Sequence, residues 1–597
     1  MSPQEFYQTF REQQQALLRV TSRTRNWITV LKLLCFAALV FCLYRLVATY
    51  GATAWIWCGA GTVAAFILLT VWDNRVAARI IELKTLIRCC DTESDYLNGK
   101  TAELDTGVKF LDPGHPYSLD LDLFGEESLF QALNRTVTPQ GTQRLVRWLL
   151  APCQDPQRIT HRQQAGAELA SQAEWMLRFR TTGMVHEITG NDDTAVRRWL
   201  DEPRFFKYRH ARKTLYLANA VSISLWIAAF FSLIPYGIPG IALFIQLGVL
   251  GLFLKRINRL SRQTDRFLHA VGTYNHLVAR ITATSFSCQE LQVLQHTLTE
   301  GRPAEKALRT LNRILSSFDQ RNNVLVAVIL NGIYLKDLHH ILQLDRWREN
   351  YRENVSTWLD TIQRFDALVS MGTYRFNHPD YCTPVLSDDI LLQAEEMGHP
   401  LLNTKGKVSN DFEVRKLHDL YIVTGANMAG KSTFLRTVGV NLVLALSGNV
   451  VCSRTFACRT MSLFTSMRTT DNLAKGTSYF HAELLRLQQL VATAEHADRL
   501  FIILDEILKG TNSMDKQKGS FALIKQFMAL QANGIIATHD LLLGTLIDLF
   551  PGNICNYRFE ADITDNELTF SYRLRPGVAQ NMNACFLMKK MGIAVAD

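Results

Sequence analysis

A chain of 597 residues is long enough to bury cores for several domains, so neither disulfides nor metal are needed to explain its folding. Its 12 cysteines are scattered and no CxxC pair recurs at zinc-ligand spacing, which argues against a disulfide scaffold or a zinc module. The formal net charge of +9 and a pI near 8.9 suit a polyanionic partner, nucleic acid or anionic lipid, without choosing between them.

In chain order, residues 1–26 read as a cytoplasmic N-terminal segment and 27–72 as a transmembrane hairpin. Its two spans run from Trp27 to about Thr49 and from Thr53 to Trp72, joined by a turn at Tyr50, Gly51 and Ala52. Arg11, Arg19, Arg23 and Arg25 precede it, Arg75, Arg79, Lys84 and Arg88 follow it, and the turn is uncharged. By the positive-inside rule the soluble segments then face the cytoplasm, so the expected localisation is a multi-pass membrane protein. Residues 73–105 read as a charged linker helix that breaks near Asn98 and Gly99.

Residues 106–213 open with turn signals and the alternating stretch Ser118 to Phe124, then carry apolar residues at helical spacing (Leu129, Phe130, Leu133, Leu145, Leu149), a helical core. Residues 214–255 read as a second transmembrane hairpin. It runs from about Leu215 to Ile234, turns at Pro235, Gly237 and Pro239, and returns from Ile241 to Leu254, again between basic flanks. Residues 256–384 have an almost continuous helical pattern, a lever region or bundle, in which the apolar stretch Val324 to Leu335 is short enough to be a buried core helix. Arg302, Lys306, Arg309, Arg313, Arg321 and Lys336 are available there for DNA, although helical charges are commonly a solvated face. The fold class is thus mixed and multidomain: transmembrane hairpins, an all-α core and lever region, and a C-terminal α/β domain over 385–597, whose motifs below are those of a P-loop domain.

The chemistry sits in that last segment. Leu420 to Thr424 is an apolar strand, Gly425-Ala-Asn-Met-Ala-Gly430-Lys431-Ser432-Thr433 matches GxxxxGK[ST], and a helix follows, which is the context the motif requires. Gly425 and Gly430 let backbone N–H groups converge on phosphate oxygens, with Asn427, Met428 and Thr433 in the same nucleotide-binding loop. Lys431 is placed to reach the β- and γ-phosphates of ATP, and the Ser432 hydroxyl to ligate Mg2+. A second apolar strand, Leu500 to Leu504, ends in Asp505, a second magnesium group, and Glu506, placed to polarise the attacking water. A third, Gly534 to Ala537, ends in Thr538 and His539, a γ-phosphate sensor in this order along the chain; the alternative is a capping threonine with an incidental histidine.

Together these motifs resemble the MutS family of ABC-class ATPases known for DNA mismatch recognition. The loop from Gly425 to Ser432 is close to the family's GPNMxGKS, and Asp505-Glu506 with Gly510-Thr511 and Asp515 resembles its DE-x-GRGT-x-x-x-D segment. Ala537-Thr538-His539 resembles its ATH switch, and Gly398-His399-Pro400 with Asn410-Asp411 its ATPase-domain entry. Asp471-Asn-Leu473, Ser478-Tyr-Phe480 and Glu483 resemble the signature stretch, where the resemblance implies that Ser478 contacts nucleotide on a partner subunit. Upstream, Ser128-Leu-Phe130, Leu133-Asn-Arg-Thr-Val-Thr138, Gly141, Trp148-Leu149 and Arg162-Gln163 are similar to the family's helical core. The resemblance implies ATP and Mg2+ as cofactors, a homodimer, and a clamp on double-stranded DNA in mismatch repair or recombination. The hairpins leave open a membrane mechanoenzyme that uses the same ATPase without nucleic acid. Ala426 stands where the family has proline and Lys509 where it has arginine, and neither change removes a phosphate or metal ligand. Phe124-Gly-Glu126 satisfies the mismatch readers' Phe-x-Glu pattern, but it opens the helical core and is expected to be structural.

Overall fold

The computed structural model describes residues 1–48, 53–185, 188, 190–206, 210–319, 324–402, 407–426, 428–468, 479–497, 499–564 and 567–580. Two long antiparallel helices come first, α1 (Pro3–Ala48) and α2 (Thr53–Leu97). Each joins an apolar half to a polar half without a break. The apolar halves bury almost nothing: within their most apolar 18-residue windows 6% and 0% of residues are buried. The polar halves pack on the body of the protein through Tyr7, Phe10, Leu86, Cys89 and Cys90, which meet Leu177. α2 stops at Leu97, where Asn98 follows it and Gly99 takes φ +80°.

The core helices are α3 (Leu129–Leu133), α4 (Pro139–Leu150), α5 (Pro156–Ser171), α6 (Ala173–Val185) and α7 (Gly190–Asp201). The sequence sets their starts. Thr138 caps α4 by accepting from Gly141 N with Pro139 next in line, and Asp155 caps α5 ahead of Pro156. The alternating stretch before them forms turns rather than a strand, in which Ser118, Asp120, Leu121 and Leu123 are all buried. Phe124 is buried beside Phe110 and Phe130.

α8 (Ala211–Phe230) and α9 (Gly237–Thr282) form the second hairpin, and here the expected bounds are corrected. Gly237 and Pro239 lie in the first turn of α9, where an amide N–H has no intrahelical acceptor and proline is tolerated. The same helix runs on through residue 255 for 46 residues, about 69 Å, so the expected boundary falls inside it. By length and composition four helices could cross a membrane: α1, α2, and the stretches Arg212–Phe230 and Gly237–Arg262.

α10 (Gln289–Thr299), α11 (Ala304–Asp319), α12 (Val324–Tyr334) and the 42-residue α13 (Lys336–Asn377) complete the helical part. α12 is only partly the buried core helix expected: it packs on α8 and α9, and Val328, Ile329 and Tyr334 stay exposed. α13 is the spine. Its Asp366 carboxylate accepts from Val137 N (3.0 Å), Thr138 N (2.8 Å) and the Thr138 hydroxyl (2.6 Å), and its Ser370 hydroxyl accepts from Arg135 N (2.7 Å).

One buried carboxylate joins hairpin, core and spine. Glu93 of α2 pairs with Arg135 (2.6 Å) and with Arg180 of α6 (2.6 Å), all three side chains at most 5% exposed. Asn377 at the end of α13 donates to its other oxygen (2.8 Å), and Tyr7 of α1 donates to Asn377 (2.8 Å). Burial pushes the Glu93 carboxyl up, but the two guanidiniums outweigh it and hold it at about 2.

The C-terminal part is α/β. A small sheet orders β1 (Val385–Leu386), β5 (Thr455–Cys458), β2 (Leu392–Met397) and β3 (Asn410–Val414) side by side. The main sheet has the order β12 (Arg575–Pro576), β9 (Ile554–Phe559), β4 (Leu420–Gly425), β8 (Asn533–Thr538), β7 (Leu500–Asp505) and β6 (Ser462–Ser466). From β9 to β6 its neighbours are all parallel. The helices α14 (Lys431–Ser447), α15 (Tyr479–His496), α16 (Ser513–Ala529) and α17 (Leu546–Leu549) connect these strands, and β10 (Ala561–Thr564) pairs with β11 (Glu567–Phe570). Asp120 of the core stitches the two parts together, accepting from Thr465 Oγ1 (2.6 Å), Met467 N (3.2 Å) and Arg468 N (2.9 Å).

Removing one partner of a buried ion pair strands the other charge. Glu93→Ala is therefore expected to destabilise the fold by about 3–5 kcal/mol, read as a lowered Tm of the detergent-solubilised protein. Because the Glu93 carboxyl falls from its ordinary 4.5 to about 2 on folding, its contribution is present above pH 4.5 and is lost as pH falls from there toward 2. Acid titration of wild type beside the variant should show that the excess wild-type stability disappears in that window.

Candidate active site

The three chemistry-bearing strands are adjacent and parallel, in the order β4, β8, β7, so their C-terminal ends open on one edge of the sheet. That edge is where ligands bind in open α/β sheets. β4 is buried over all six residues and delivers the loop that leads into α14. Gly425 takes φ +155° and a Cβ there would lie 2.5 Å from the Phe559 carbonyl oxygen, so both conformation and space require glycine. Gly430 takes φ +105° at the N-terminus of α14, beside the Tyr572 ring.

Within the loop, Lys431 is buried and its Nζ donates to the carbonyl oxygens of Gly425 (2.7 Å) and Ala426 (2.8 Å). Burial lowers its ammonium to about 8, against the pull of Asp505 and Glu506. Ser432 Oγ donates to Asp505 Oδ2 at 2.5 Å, across from β4 to β7. Glu506 follows at φ +57° and its N–H donates to Ala537 O (2.8 Å), which fixes the backbone that carries it. Half-burial raises the Glu506 carboxyl, but Lys516 (3.0 Å), with His539 and Lys509 nearby, outweighs this and the net shift is downward. His539, after β8, stands 3.4 Å from Lys431 Nζ; burial and then that ammonium lower its imidazole. All five side chains line one cavity of about 660 Å3.

Of the residues expected from sequence, Gly430, Lys431, Ser432, Thr433, Met428, Asp505, Glu506 and His539 line this cavity, and Gly425 bounds its loop. Asn427 and Ser478 lie outside the described residues. Met428 is 78% exposed at φ +65°, a loop-tip position that points outward. Glu483 is buried and accepts from Lys509 N (3.2 Å), which links α15 to the loop after Glu506.

Sequence reasoning missed several wall residues. His399 and Asn410 were recognised only as parts of conserved-looking entry motifs, yet both line the cavity, and burial pushes the His399 imidazole down to about 4. Tyr572 arrives from far along the chain and is held by Asn410, which donates to its carbonyl (3.0 Å). Lys516, the partner of Glu506, sits ten residues on, one turn inside α16, and since Glu506 itself lies in the loop before that helix no local spacing signals the pair.

Comparison with known families matches MutS domain V over residues 421–596 and MutS domain III over residues 117–195. The chain belongs to the MutS family. Its curated relatives include the DNA mismatch repair protein MSH4 of Arabidopsis thaliana, 32% identical over 244 residues, which are 39% of this chain and 30% of that protein. The DNA mismatch repair protein MutS of Aquifex pyrophilus is 30% identical over 262 residues, 42% of this chain and 30% of that protein. MutS of Rickettsia akari is 26% identical over 343 residues, 55% of this chain and 34% of that protein. The chain thus matches about a third of the length of these relatives. Upstream of domain III, the described residues of this MutS-family chain form the α1–α2 hairpin rather than a mismatch-reading domain.

The close approach at Gly425 generates a direct expectation. Gly425→Ala should lower stability by about 1–3 kcal/mol, because a strained φ and the Phe559 carbonyl must both give. Gly248→Ala on α9, where a Cβ meets nothing within 4 Å, should leave Tm unchanged or higher in parallel thermal melts.

Proposed function

We propose that this MutS-family protein binds and hydrolyses ATP at the β4–β8–β7 edge, as a homodimer, and uses the cycle to drive a DNA-binding clamp tethered to the cytoplasmic face of a membrane. The observation that carries the reading is the convergence of Lys431, Ser432, Asp505, Glu506 and His539 on one cavity of about 660 Å3, a size suited to a nucleotide. The donor set fits Mg2+: the Ser432 hydroxyl and Asp505 carboxylate are hard oxygen ligands already within 2.5 Å of each other. Bound there, the ion supplies charge neutralisation to the phosphates.

The chain's own groups then have separate tasks. The loop from Gly425 through Asn427, Met428, Gly430 and Thr433 presents backbone N–H groups to the phosphates, and Lys431 exchanges its two carbonyl acceptors for phosphate oxygens. Glu506, kept ionised by Lys516, orients and deprotonates the attacking water. His539 stands beside Lys431, where it can report the γ-phosphate to β8. Ser478 is assigned to the partner subunit's nucleotide, as the family resemblance implies.

Support for the tether is physical. The hairpin presents Leu33, Leu34, Phe36, Val47, Trp57 and Leu68 at more than half exposure each, over about 20 residues per helix, which matches a hydrocarbon core about 30 Å thick. This sheath also favours a second reading, a membrane mechanoenzyme that uses the ATPase without nucleic acid. For DNA, Lys306, Arg309 and Arg313 form an exposed basic stripe on α11.

Steady-state ATPase of the full chain in detergent tests the reading. Lys431→Ala should abolish nucleotide binding, and Glu506→Gln should bind ATP while hydrolysis falls about 100-fold or more. Under the clamp reading, duplex DNA stimulates wild type, the effect fades with added salt, and Lys306→Glu with Arg313→Glu removes it. Activity indifferent to every DNA sinks the clamp and leaves the mechanoenzyme; activity untouched by either site mutation sinks the assignment of the site.

A further inference from the structure

A second cavity lies at the foot of the first hairpin, and its meaning rests on the membrane reading above. α1 enters its exposed apolar stretch at Trp27 (69% exposed) and α2 leaves its own at Trp72 (48% exposed). Tryptophans at the ends of apolar spans mark the headgroup level. At that level Asp73 accepts from Lys32 (2.7 Å) and Arg25 (3.3 Å), closing the hairpin with an ion triad. Arg75 and Arg79 follow Trp72 by three and seven residues, about 4 and 10 Å along the axis at about 1.5 Å per residue. A headgroup layer is about 5–7 Å deep on each side of the hydrocarbon, so Arg75 lies within it and Arg79 just beyond its water-side edge.

Arg75, Ala78, Arg79 and Glu82 share one face of α2, and with Arg280 of α9 and Trp175 of α6 they bound a cleft of about 670 Å3. Its charge is unbalanced. Glu82 is engaged by Arg79 at 2.5 Å, whereas Arg280 donates to the Thr182 hydroxyl (3.3 Å) and, like Arg75, forms no ion pair among the described residues. Burial lowers the Arg280 guanidinium, nearby Glu82 opposes this, and Arg178 and Arg79 add to it, so the cleft carries three arginines against one carboxylate. The walls between the cations are apolar, with Ala78, Trp175 and Ala279 among them.

We propose that this cleft binds the phosphate headgroup of an anionic phospholipid of the cytoplasmic leaflet. Arg75 and Arg280 hold the phosphate, and the apolar wall receives the start of the glycerol backbone. Because the cleft is shared by α2, α6 and α9, the lipid joins hairpin, core and lever at one point.

The test uses the full chain in neutral detergent and follows Tm against added short-chain phosphatidylglycerol, short-chain phosphatidylcholine or inorganic phosphate. Phosphatidylglycerol should raise Tm and phosphatidylcholine should not. Arg75→Gln, an exposed residue whose loss leaves the fold intact, and Arg280→Gln should each weaken the apparent affinity about fivefold, the equivalent of about 1 kcal/mol per arginine. Equal shifts from both lipids, or a phosphatidylglycerol shift unaltered in both variants, overturn the proposal. A shift reproduced by inorganic phosphate alone overturns the lipid as ligand and leaves a free-phosphate site. Alkaline carbonate washing of membranes separates the two levels: release of the chain refutes the membrane reading itself, whereas retention without lipid selectivity refutes the headgroup site only.

Discussion

The ionised carboxylate of Glu93, fully removed from water, holds the upstream half of this molecule in one arrangement. A charge in that position is tolerable only if every lone pair is met, and here two guanidiniums and an amide from three separate segments do so. Their convergence fixes where α2 lies against the core, where the loop before α4 passes, and where α13 ends. None of the three can shift alone without leaving a buried charge unpaired. The hairpin is therefore not a loosely attached appendage: its polar half is part of the same packed unit as MutS domain III.

A comparable logic, with smaller charges, organises the sheet edge. β4 supplies an ammonium that rests on its own loop's carbonyls, β7 supplies two carboxylates, and β8 supplies an imidazole between them. Burial disfavours the charged form of Lys431, Glu506 and His539; at Glu506 the neighbouring Lys516 outweighs it, whereas at His539 the Lys431 ammonium adds to it. The cavity is thus lined by the cations of residues 431 and 509 and the anions of 505 and 506, with Lys516 paired to Glu506 from behind. Asp120 and α14 then carry the position of this edge into the helical core, since α14 packs on α4 and α5.

Much of the site was legible because its determinants are local. A strand, a glycine-bounded loop and a helix start are contiguous, and Asp505, Glu506 and His539 each sit where an apolar strand runs out. The cavity's other wall was not legible, because it combines His399 and Asn410 with Tyr572, which the Asn410 side chain holds from 162 residues away in sequence. Glu93 and Arg135 were likewise unreadable: a charged residue on an amphipathic helix looks solvated until the element packed over it is known. Spans were easier than boundaries. Hydropathy located the apolar stretches and helical periodicity the polar segments at 73–105 and beyond 256, but neither signals that span and polar segment form one unbroken helix in α2 and α9, and Pro239 looked like a turn because its tolerated place at a helix start depends on where the helix begins.

The length of α13 has a mechanical corollary. Forty-two residues make a rod about 63 Å long, pinned near one end by Asp366, Ser370 and Asn377 and entering the nucleotide-type domain through β1 just beyond. The rod is also held along its length, by packing on α5, α10 and α11, by Arg348 donating to the Trp199 carbonyl and by Trp347 donating to the Ala307 carbonyl, so a tilt of about 5°, about 5 Å over 63 Å, would carry those neighbours with it. The tip, where α12 and α13 meet at Leu335 in a left-handed bend, rests against α8 and α9 of the second hairpin. The helical part and the second hairpin are thereby joined to the region beside domain V by one continuous stiff element, so a shift at either end would be felt at the other as movement of a packed block and not as local bending.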